Sequence, residues 1–337
     1  MSRVTLEDVA NACGVSKATA SYVLNNKPAS FGLSAATVRR VLEESRKLNY
    51  RPDLVARLLE SQKRNVLKVC VFSPWLHSQF SDFMAQFSAA IEAAMQEQKL
   101  SVEYRFYKAS ELKKVLKSSL CRKYDACIVL GTREKDNQYL IKKVDEFSNI
   151  ILLNRNLEKF PCVYGSDMEI CEEIGKKLIS AGFYSKYVIC SNIVVSDREN
   201  LRLEGYRKAF SNADATWEEY GQLANGKNFE NEMKKVIDQH GSNRVCYCFL
   251  NYLSAAAMLN AAYHRGISIP SEIGIVGYDQ HSLLKNFLVL QLTTVEPRVF
   301  EMVTQALRMA RTLKSGEKIN SVRVESELIA GNTAVIK

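Results

Sequence analysis

The chain has 337 residues, a formal net charge of +9, and a balance of 47% hydrophobic and 25% charged residues that is typical of soluble globular proteins. This length predicts two or three packed units. The sequence begins without an apolar signal-peptide core, and no apolar run approaches the about 18 residues that a membrane span needs. We therefore expect a cytoplasmic protein and no membrane partner.

The nine cysteines are odd in number and scattered through apolar, strand-like runs. This pattern indicates reduced core thiols rather than a disulfide framework. Cys246 and Cys248 are the closest pair, and a metal site on them would need further ligands from elsewhere. We therefore expect no bound metal and no other cofactor.

Positive charge is concentrated at the N-terminal end. Residues 1–64 contain 11 Lys and Arg against 6 Asp and Glu, so this segment carries +5 of the total +9. Such a balance is compatible with an acidic partner such as nucleic acid, although charge alone does not identify one.

The first fifty residues contain the signals of three short helices. Thr5 with Asp8 three residues later forms a capping box, which predicts a helix beginning at residue 6, and Gly14 marks its end. A second helix is expected over residues 17–24, and a third after Ser34. Two short helices around a tight glycine turn form a helix-turn-helix.

The second helix of this motif enters the major groove and presents its N-terminal side chains to base edges. Its buried side should contain Thr19, Ala20 and Val23. Asn25 and Asn26, at its end, should lie nearer the phosphates. The opposite face presents the side chains that we expect to contact bases, which are Ser16, Lys17, Ala18, Ser21 and Tyr22. A three-helix module that binds only protein remains the alternative at this point.

Four short runs of the N-terminal sequence are distinctive enough to suggest a family: VTLEDVA at 4–10, GVS at 14–16, TAS at 19–21 and LNYRPDLVAR at 48–57. In this order they closely resemble the lactose-repressor (LacI/GalR) family. The resemblance implies a three-helix, lambda-repressor-like headpiece, a hinge helix and a two-lobed, periplasmic-binding-protein-like (type I) α/β core. It also implies a sequence-specific transcriptional regulator, a repressor in the simplest case, that binds pseudo-palindromic operator DNA as a homodimer.

The predicted boundaries follow from this resemblance. The headpiece covers 1–49, the hinge 50–64 and the core 65–337. Within the core, the N-terminal lobe is expected at about 65–164 and 296–322, and the C-terminal lobe at about 165–295 and 323–337.

In the family, the hinge becomes helical on operator DNA and inserts a leucine between base pairs in the minor groove. By motif position that leucine is Leu59, and the residues beside it are Val55, Ala56 and Arg57. An isolated helix this short is marginal in water, and a bent site offsets the cost of unstacking. Two residues within the matching runs complete the DNA-contacting set, Thr5 and Tyr50. An ordinary linker that packs on the core is the alternative.

From residue 65 onward, apolar runs alternate with amphipathic stretches, which is typical of parallel sheets with crossover helices. Strands are expected at 66–72, 125–130, 187–190, 244–250 and 273–277. Helices are expected near 83–98, near 138–147 and from residue 298, and the first and last of these need burial of an apolar face.

Ligands of such sheets bind at the carboxyl ends of the strands. Arg202, in Arg-Leu-Glu-Gly-Tyr, and Asp279, after Val-Gly-Tyr, resemble the family positions that contact a small-molecule effector, a sugar or related metabolite. Four further candidates stand at family cleft positions, Asn154, Asn251, His77 and Phe80. His77 and Phe80 are equally compatible with packing or surface roles.

Three alternatives remain open from the sequence. The effector pocket could be degenerate, with Arg202 and Asp279 forming a salt bridge across an empty cleft, since Asn154 and Tyr252 replace the usual Asp residues. An enzyme is disfavoured because the chain lacks the common catalytic motifs and has only four histidines. A solute-binding protein shares the core fold, but the basic headpiece and the absent signal peptide disfavour it.

Overall fold

The computed structural model describes residues 4–24, 33–48, 50, 66–75, 81–97, 99–192, 196–223, 229–280, 284–286, 288 and 290–337. The chain divides into two compact units, Met1–Val66 and Leu67–Lys337. Each unit has its own hydrophobic core.

The first unit, the headpiece, contains three helices, α1 (Leu6–Cys13), α2 (Lys17–Leu24) and α3 (Ala35–Lys47). Their predicted starts are confirmed. The backbone N–H of Asp8 donates to Thr5 Oγ1 at 3.3 Å, and that of Thr5 donates to Asp8 Oδ2 at 2.8 Å, so the capping box is complete. Gly14 ends α1 with a φ of 61°, in the left-handed region that glycine adopts without strain.

Among the described headpiece residues, the fully buried apolar side chains are small or β-branched, namely Val9, Ala10, Cys13, Ala20, Val23 and Val41, and partly buried leucines pack against them. Ala20 and Val23 are buried as predicted. Thr19 was expected to be buried but is only half-buried, because its hydroxyl is hydrogen-bonded to Ser16 Oγ at 2.8 Å at the exposed start of α2.

The second unit, the core, begins with strand β1. Its strands are β1 (Leu67–Ser73), β2 (Leu100–Phe106), β3 (Ala126–Leu130), β4 (Ile150–Leu153), β5 (Cys162–Gly165), β6 (Lys186–Asn192), β7 (Trp217–Leu223), β8 (Val245–Phe249), β9 (Ile273–Val276), β10 (Thr294–Glu296), β11 (Val322–Val324) and β12 (Glu327–Ile329). Its helices are α4 (Ser81–Glu97), α5 (Leu112–Val115), α6 (Ser118–Cys121), α7 (Glu134–Lys142), α8 (Asp167–Ala181), α9 (Asp197–Asn212), α10 (Phe229–His240), α11 (Tyr252–His264) and α12 (Val299–Lys314).

The core has two lobes, each built on a parallel sheet. The N-terminal sheet has the order β11-β5-β4-β3-β1-β2, and the C-terminal sheet has the order β7-β6-β8-β9. Helices α4 and α12 cover one face of the first sheet, while α8 and α9 cover one face of the second. Strands such as β3 and β8 are buried along their whole length, because helices pack on the sheets that contain them.

Three segments of the described chain join the lobes. They run from β5 into α8, from β10 into α12, and from β11 into β12, and β10 pairs with β12 in a short antiparallel ribbon. This connectivity brings the carboxyl ends of strands from both sheets to a common cleft.

Most of the predicted core elements are confirmed within a few residues. The helix expected near 138–147 was placed wrongly, since α7 occupies Glu134–Lys142 and a separate 3₁₀ turn follows at Val144–Glu146. The reason is local, because Asp136 Oδ2 accepts from the backbone N–H of Arg133 at 3.1 Å and starts the helix earlier. All nine cysteines are free and buried, as expected.

In the described part of the chain, every helix is too short or too polar to span a bilayer. Among the same residues, no group of three or more His, Cys, Asp or Glu side chains is placed to hold a metal ion.

Candidate functional site

The exposed face of α2 carries the residues expected to contact bases. Ser16, Lys17 and Ala18 are exposed, and Ser21 and Tyr22 are half-buried. The first turn of α2 contains no acidic residue, so the helix N-terminus is free of negative charge on its own helix. This face is therefore compatible with an approach to DNA.

Two of these residues already have partners within the headpiece. Lys17 Nζ lies 2.9 Å from Glu7 Oε2 of α1, and Ser16 Oγ accepts from the backbone N–H of Thr19 at 3.1 Å. The ion pair is exposed on both sides, so it is weak and exchangeable.

Thr5 and Tyr50 have structural roles in this unit. Thr5 caps α1, and the half-buried Tyr50 packs on the headpiece core while its backbone N–H donates to the carbonyl of Ser45 at 2.9 Å. The remaining predicted DNA contacts lie outside the described residues, namely Asn25, Asn26, Val55, Ala56, Arg57 and Leu59.

In the core, side chains from both lobes line a cleft of about 110 Å³. Four predicted effector residues are brought together there, Asn154, Arg202, Asn251 and Asp279. The other two, His77 and Phe80, lie outside the described residues. Aromatic and apolar side chains line the cleft as well, including Trp75, Phe83 and Met302.

A buried carboxylate holds two arginines at one side of the cleft. Asp167, at the start of α8, forms ion pairs with Arg198 and with Arg202, whose Nε lies 2.7 Å from Asp167 Oδ1. The three residues are only 2%, 3% and 7% exposed, respectively. The two oxygens of Asp167 thus bind different arginines. These two arginines lie one helical turn apart on α9.

Arg202 has further contacts that fix its side chain. Its Nη1 donates to the carbonyl of Leu250 at 2.8 Å, and its guanidinium lies 3.5 Å from the centre of the Tyr278 ring. The salt bridge to Asp279 considered from the sequence is present only as a 3.9 Å contact, too long for a hydrogen bond. Asp167 is therefore the main partner of Arg202.

A third arginine, Arg155, is buried without a hydrogen-bonded carboxylate among the described residues. Its Nε donates to the carbonyl of Thr132 at 3.0 Å and its Nη1 to that of Asn154 at 2.6 Å. Burial lowers the pKa of Arg155, and it lowers the pKa of Arg198 to about 10. Arg198 at least therefore stays charged near neutral pH.

Two cleft residues adopt left-handed backbone conformations. The φ angles are 56° for Asn154 and 72° for Asp279, in a region where Asn and Asp are the most tolerated residues other than glycine. Backbone of this kind is concentrated at ligand sites. Asn251 has a simpler role, because its Oδ1 accepts from the backbone N–H of Ser254 at 2.9 Å and caps α11.

Sequence reasoning missed three of the charged cleft residues, Asp167, Arg155 and Arg198. Two of them were detectable, because Arg155 and Asp167 each stand two residues beyond the end of a strand, β4 and β5. Arg198 is four residues before Arg202, so both lie on one face of α9.

Comparison with protein families gives a match for each unit. Residues 5–53 match the model described as bacterial regulatory proteins, lacI family, and residues 176–333 match a periplasmic binding protein-like domain.

Whole-length relatives have the same organisation. The HTH-type transcriptional regulator GalR of Escherichia coli is 26% identical over 332 residues, covering 94% of this chain and 91% of GalR. The probable HTH-type transcriptional repressor ExuR of Bacillus subtilis is 24% identical, covering 87% and 86%.

Among solved structures, the lac repressor dimer bound to operator and the anti-inducer ONPF is similar with a TM-score of 0.65 at 20% identity, covering 98% of this chain and 99% of that chain. A complex of the transcriptional regulator CelR with cellobiose also has a TM-score of 0.65, at 19% identity with 98% and 100% coverage. These likenesses extend over both units of the fold.

Proposed function

Since the chain is a member of the LacI/GalR family of DNA-binding transcriptional regulators, we propose that it acts as a repressor whose operator affinity is set by a small molecule in the core cleft. The single observation that supports DNA recognition best is the exposed face of α2. It presents Lys17 and Ser16 on a capped, acid-free helix start. Lysine can donate to guanine acceptors in the major groove, and serine can bond several bases.

We propose that two copies bind one pseudo-palindromic site. Helices α4 and α12 pack together and leave a groove of mixed polarity between them, in which Ala90, Phe300 and Leu307 lie beside the charged Glu97 and Arg308. Phe300 and Met95 are 48% and 51% exposed, which is unusual for side chains of this size. A second copy would cover them, and the solved lac repressor complex is described as a dimer bound to operator.

The cleft supports control by a small polar effector. It combines planar arginine donors, the Asp279 carboxylate and the Asn251 amide with the aromatic rings of Trp75 and Phe83. This mixture suits a hydroxylated metabolite. The CelR structure contains cellobiose, and a LacI family regulator from Enterococcus faecium has a similar fold with bound ribose. A sugar or related metabolite is the effector class that we propose.

The remaining parts of the proposal follow from this role. The hinge at 50–64 would connect the headpiece to the core, with Arg57 and Leu59 reaching the minor groove. A regulator of chromosomal genes would act in the cytoplasm, and its α/β core would serve sensing rather than catalysis.

Selection of bound duplexes from a random library by the full-length protein tests DNA recognition and dimerisation together. We expect an enriched sequence with two half-sites related by two-fold symmetry, as a dimer of headpieces requires. Enrichment of a single asymmetric half-site would contradict the dimer, and no enrichment would contradict sequence-specific binding.

The Lys17→Ala variant then tests the role of α2. Loss of a specific base contact should weaken binding to the selected duplex by about 1–3 kcal/mol, with a smaller loss on random duplex. Lys47→Ala is the matched control, because Lys47 is an equally exposed headpiece lysine paired with Glu44 at 2.7 Å. Equal losses for the two variants would remove Lys17 from base recognition.

A further inference from the structure

The cleft contains more buried positive charge than its hydrogen-bonded acids neutralise. Three arginines, Arg155, Arg198 and Arg202, line it and are each less than 10% exposed. Among the described residues, Asp167 is the one acid that is hydrogen-bonded to any of these arginines. Burying a charge is costly unless it is paired, so such a surplus requires an explanation.

The other nearby acids act on the arginines without a hydrogen bond to them among the described residues. The negative charge of Asp197 opposes the lowering of the Arg155 pKa by burial, so it offsets part of that arginine's charge. Glu199 accepts from the backbone N–H of Ser196 at 2.7 Å and from Asn192 Nδ2 at 3.0 Å, so it completes the capping box of α9 in which Ser196 is the N-cap. Asp197 accepts from Asn137 Nδ2 at 3.2 Å. Asp279 lies 3.9 Å from Arg202, with a side chain that is 45% exposed.

Arg198 and Arg155 are the two arginines whose contacts the carboxylate of Asp167 satisfies incompletely or not at all. Among the described residues, Arg198 Nε is buried and has no acceptor, although the Nη2 of the same side chain binds Asp167 and the carbonyl of Gly165. Among the same described residues, Arg155 donates to two backbone carbonyls and has no hydrogen-bonded carboxylate. The positive charges of Arg202 and Arg155 add to burial in lowering the pKa of Arg198.

From this arrangement we propose that the cleft binds a small hydroxylated organic anion, whose carboxylate or phosphate group is held by Arg155 and Arg198. This proposal rests on the proposed function, because it states that the effector bound in the same cleft carries a negative charge. A planar guanidinium matches the geometry of carboxylate and phosphate oxygens. Hydroxyl groups of the ligand would reach Asp279 and Asn251, which line the same cleft.

The size of the cleft agrees with this assignment. Its free volume of about 110 Å³ is below the about 300 Å³ at which pockets for whole drug-sized ligands begin. A volume of this size accommodates a small acidic group beside the arginines.

Thermal unfolding of the full-length protein tests the proposal with inorganic phosphate and with acetate as probes, each compared with chloride at equal ionic strength. We expect saturating probe to raise the Tm of the core by about 5 °C. Arg198→Gln should lose most of this increment, and so should Arg155→Gln, which leaves the Asp167 ion pairs intact. Arg265→Gln is the control, because Arg265 pairs with Asp238 on the surface.

General salting effects raise the Tm of all four proteins alike, so only a difference between them reports the site. An equal increment in all four, or none in the wild type, would overturn the proposal. Operator affinity measured in parallel separates the two claims. A site-dependent increment without any change in affinity would count against effector control but support the anion site. An affinity change with neutral ribose alone would support effector control and overturn the anion site.

Discussion

The headpiece and the core cleft place their functional side chains in opposite environments. On the headpiece, the candidate DNA contacts lie on the exposed side of one helix, and the buried residues beneath them are apolar. In the cleft, the functional residues are themselves buried and charged, and they come from strands and helices far apart in the chain. Substitutions on the headpiece face should therefore change binding alone, whereas substitutions in the cleft should change binding and stability together.

The largest effect should come from Asp167→Ala, which leaves Arg198 and Arg202 buried without their shared carboxylate. Removing one partner of a buried ion pair costs about 3–5 kcal/mol, so the free energy of unfolding of the core should fall by that amount. Denaturant unfolding followed by fluorescence measures it.

Asp238→Ala is the matched control, because Asp238 is 65% exposed and its partner Arg265 can return to water. We expect a change of less than about 1 kcal/mol for this variant. Similar losses in the free energy of unfolding for the two variants would mean that the cleft charges are solvated. This result would contradict the proposed difference between the cleft and the headpiece surface.

A smaller effect is expected from Ser34→Ala at the start of α3. Ser34 Oγ accepts from the backbone N–H of Thr37 at 3.2 Å, and loss of such a cap costs about 1 kcal/mol. In a small unit this lowers Tm by about 4–8 °C. Hydrogen exchange of the α1–α3 amides in the full-length protein should therefore accelerate.

Ser196→Ala removes the equivalent cap of α9 in the larger core, where Glu199 N–H donates to Ser196 Oγ at 3.3 Å. The same loss of about 1 kcal/mol should shift the core Tm by only about 2–4 °C. A core that responds more strongly than the headpiece would contradict the assumption that the two units unfold separately.

The smallest effect is expected from Glu7→Gln, which releases Lys17 from its exposed ion pair. Such pairs contribute about 0.2–1 kcal/mol, so operator affinity should rise by no more than about fivefold, as measured by fluorescence anisotropy. Glu44→Gln, which releases Lys47 in the same way, controls for the change of charge. Weaker binding by Glu7→Gln would show that Glu7 positions Lys17 rather than competes for it.

The two regions also differ in how far they could be predicted. The starts of α1 and α3 and the left-handed Gly14 were all expected, since each depends on residues within four positions of one another. In the cleft, Arg202 and Asp279 were identified through their motifs, and the ion pair between them that the sequence left open is a 3.9 Å contact. Asp167, which Arg202 contacts at 2.7 Å, is 35 residues away in the chain.

The sequence by itself determined the local features of this protein: the capped helices, the tight turn, the exposed face of α2 and the alternation of strands and helices. These depend on backbone propensity and on apolar periodicity, which act over a few residues. Only the tertiary structure decided which charges meet in the cleft. Two lobes joined by three connections bring Arg155, Asp167 and Arg198 together, and the energy of a buried charge depends on distances that no short run of residues encodes.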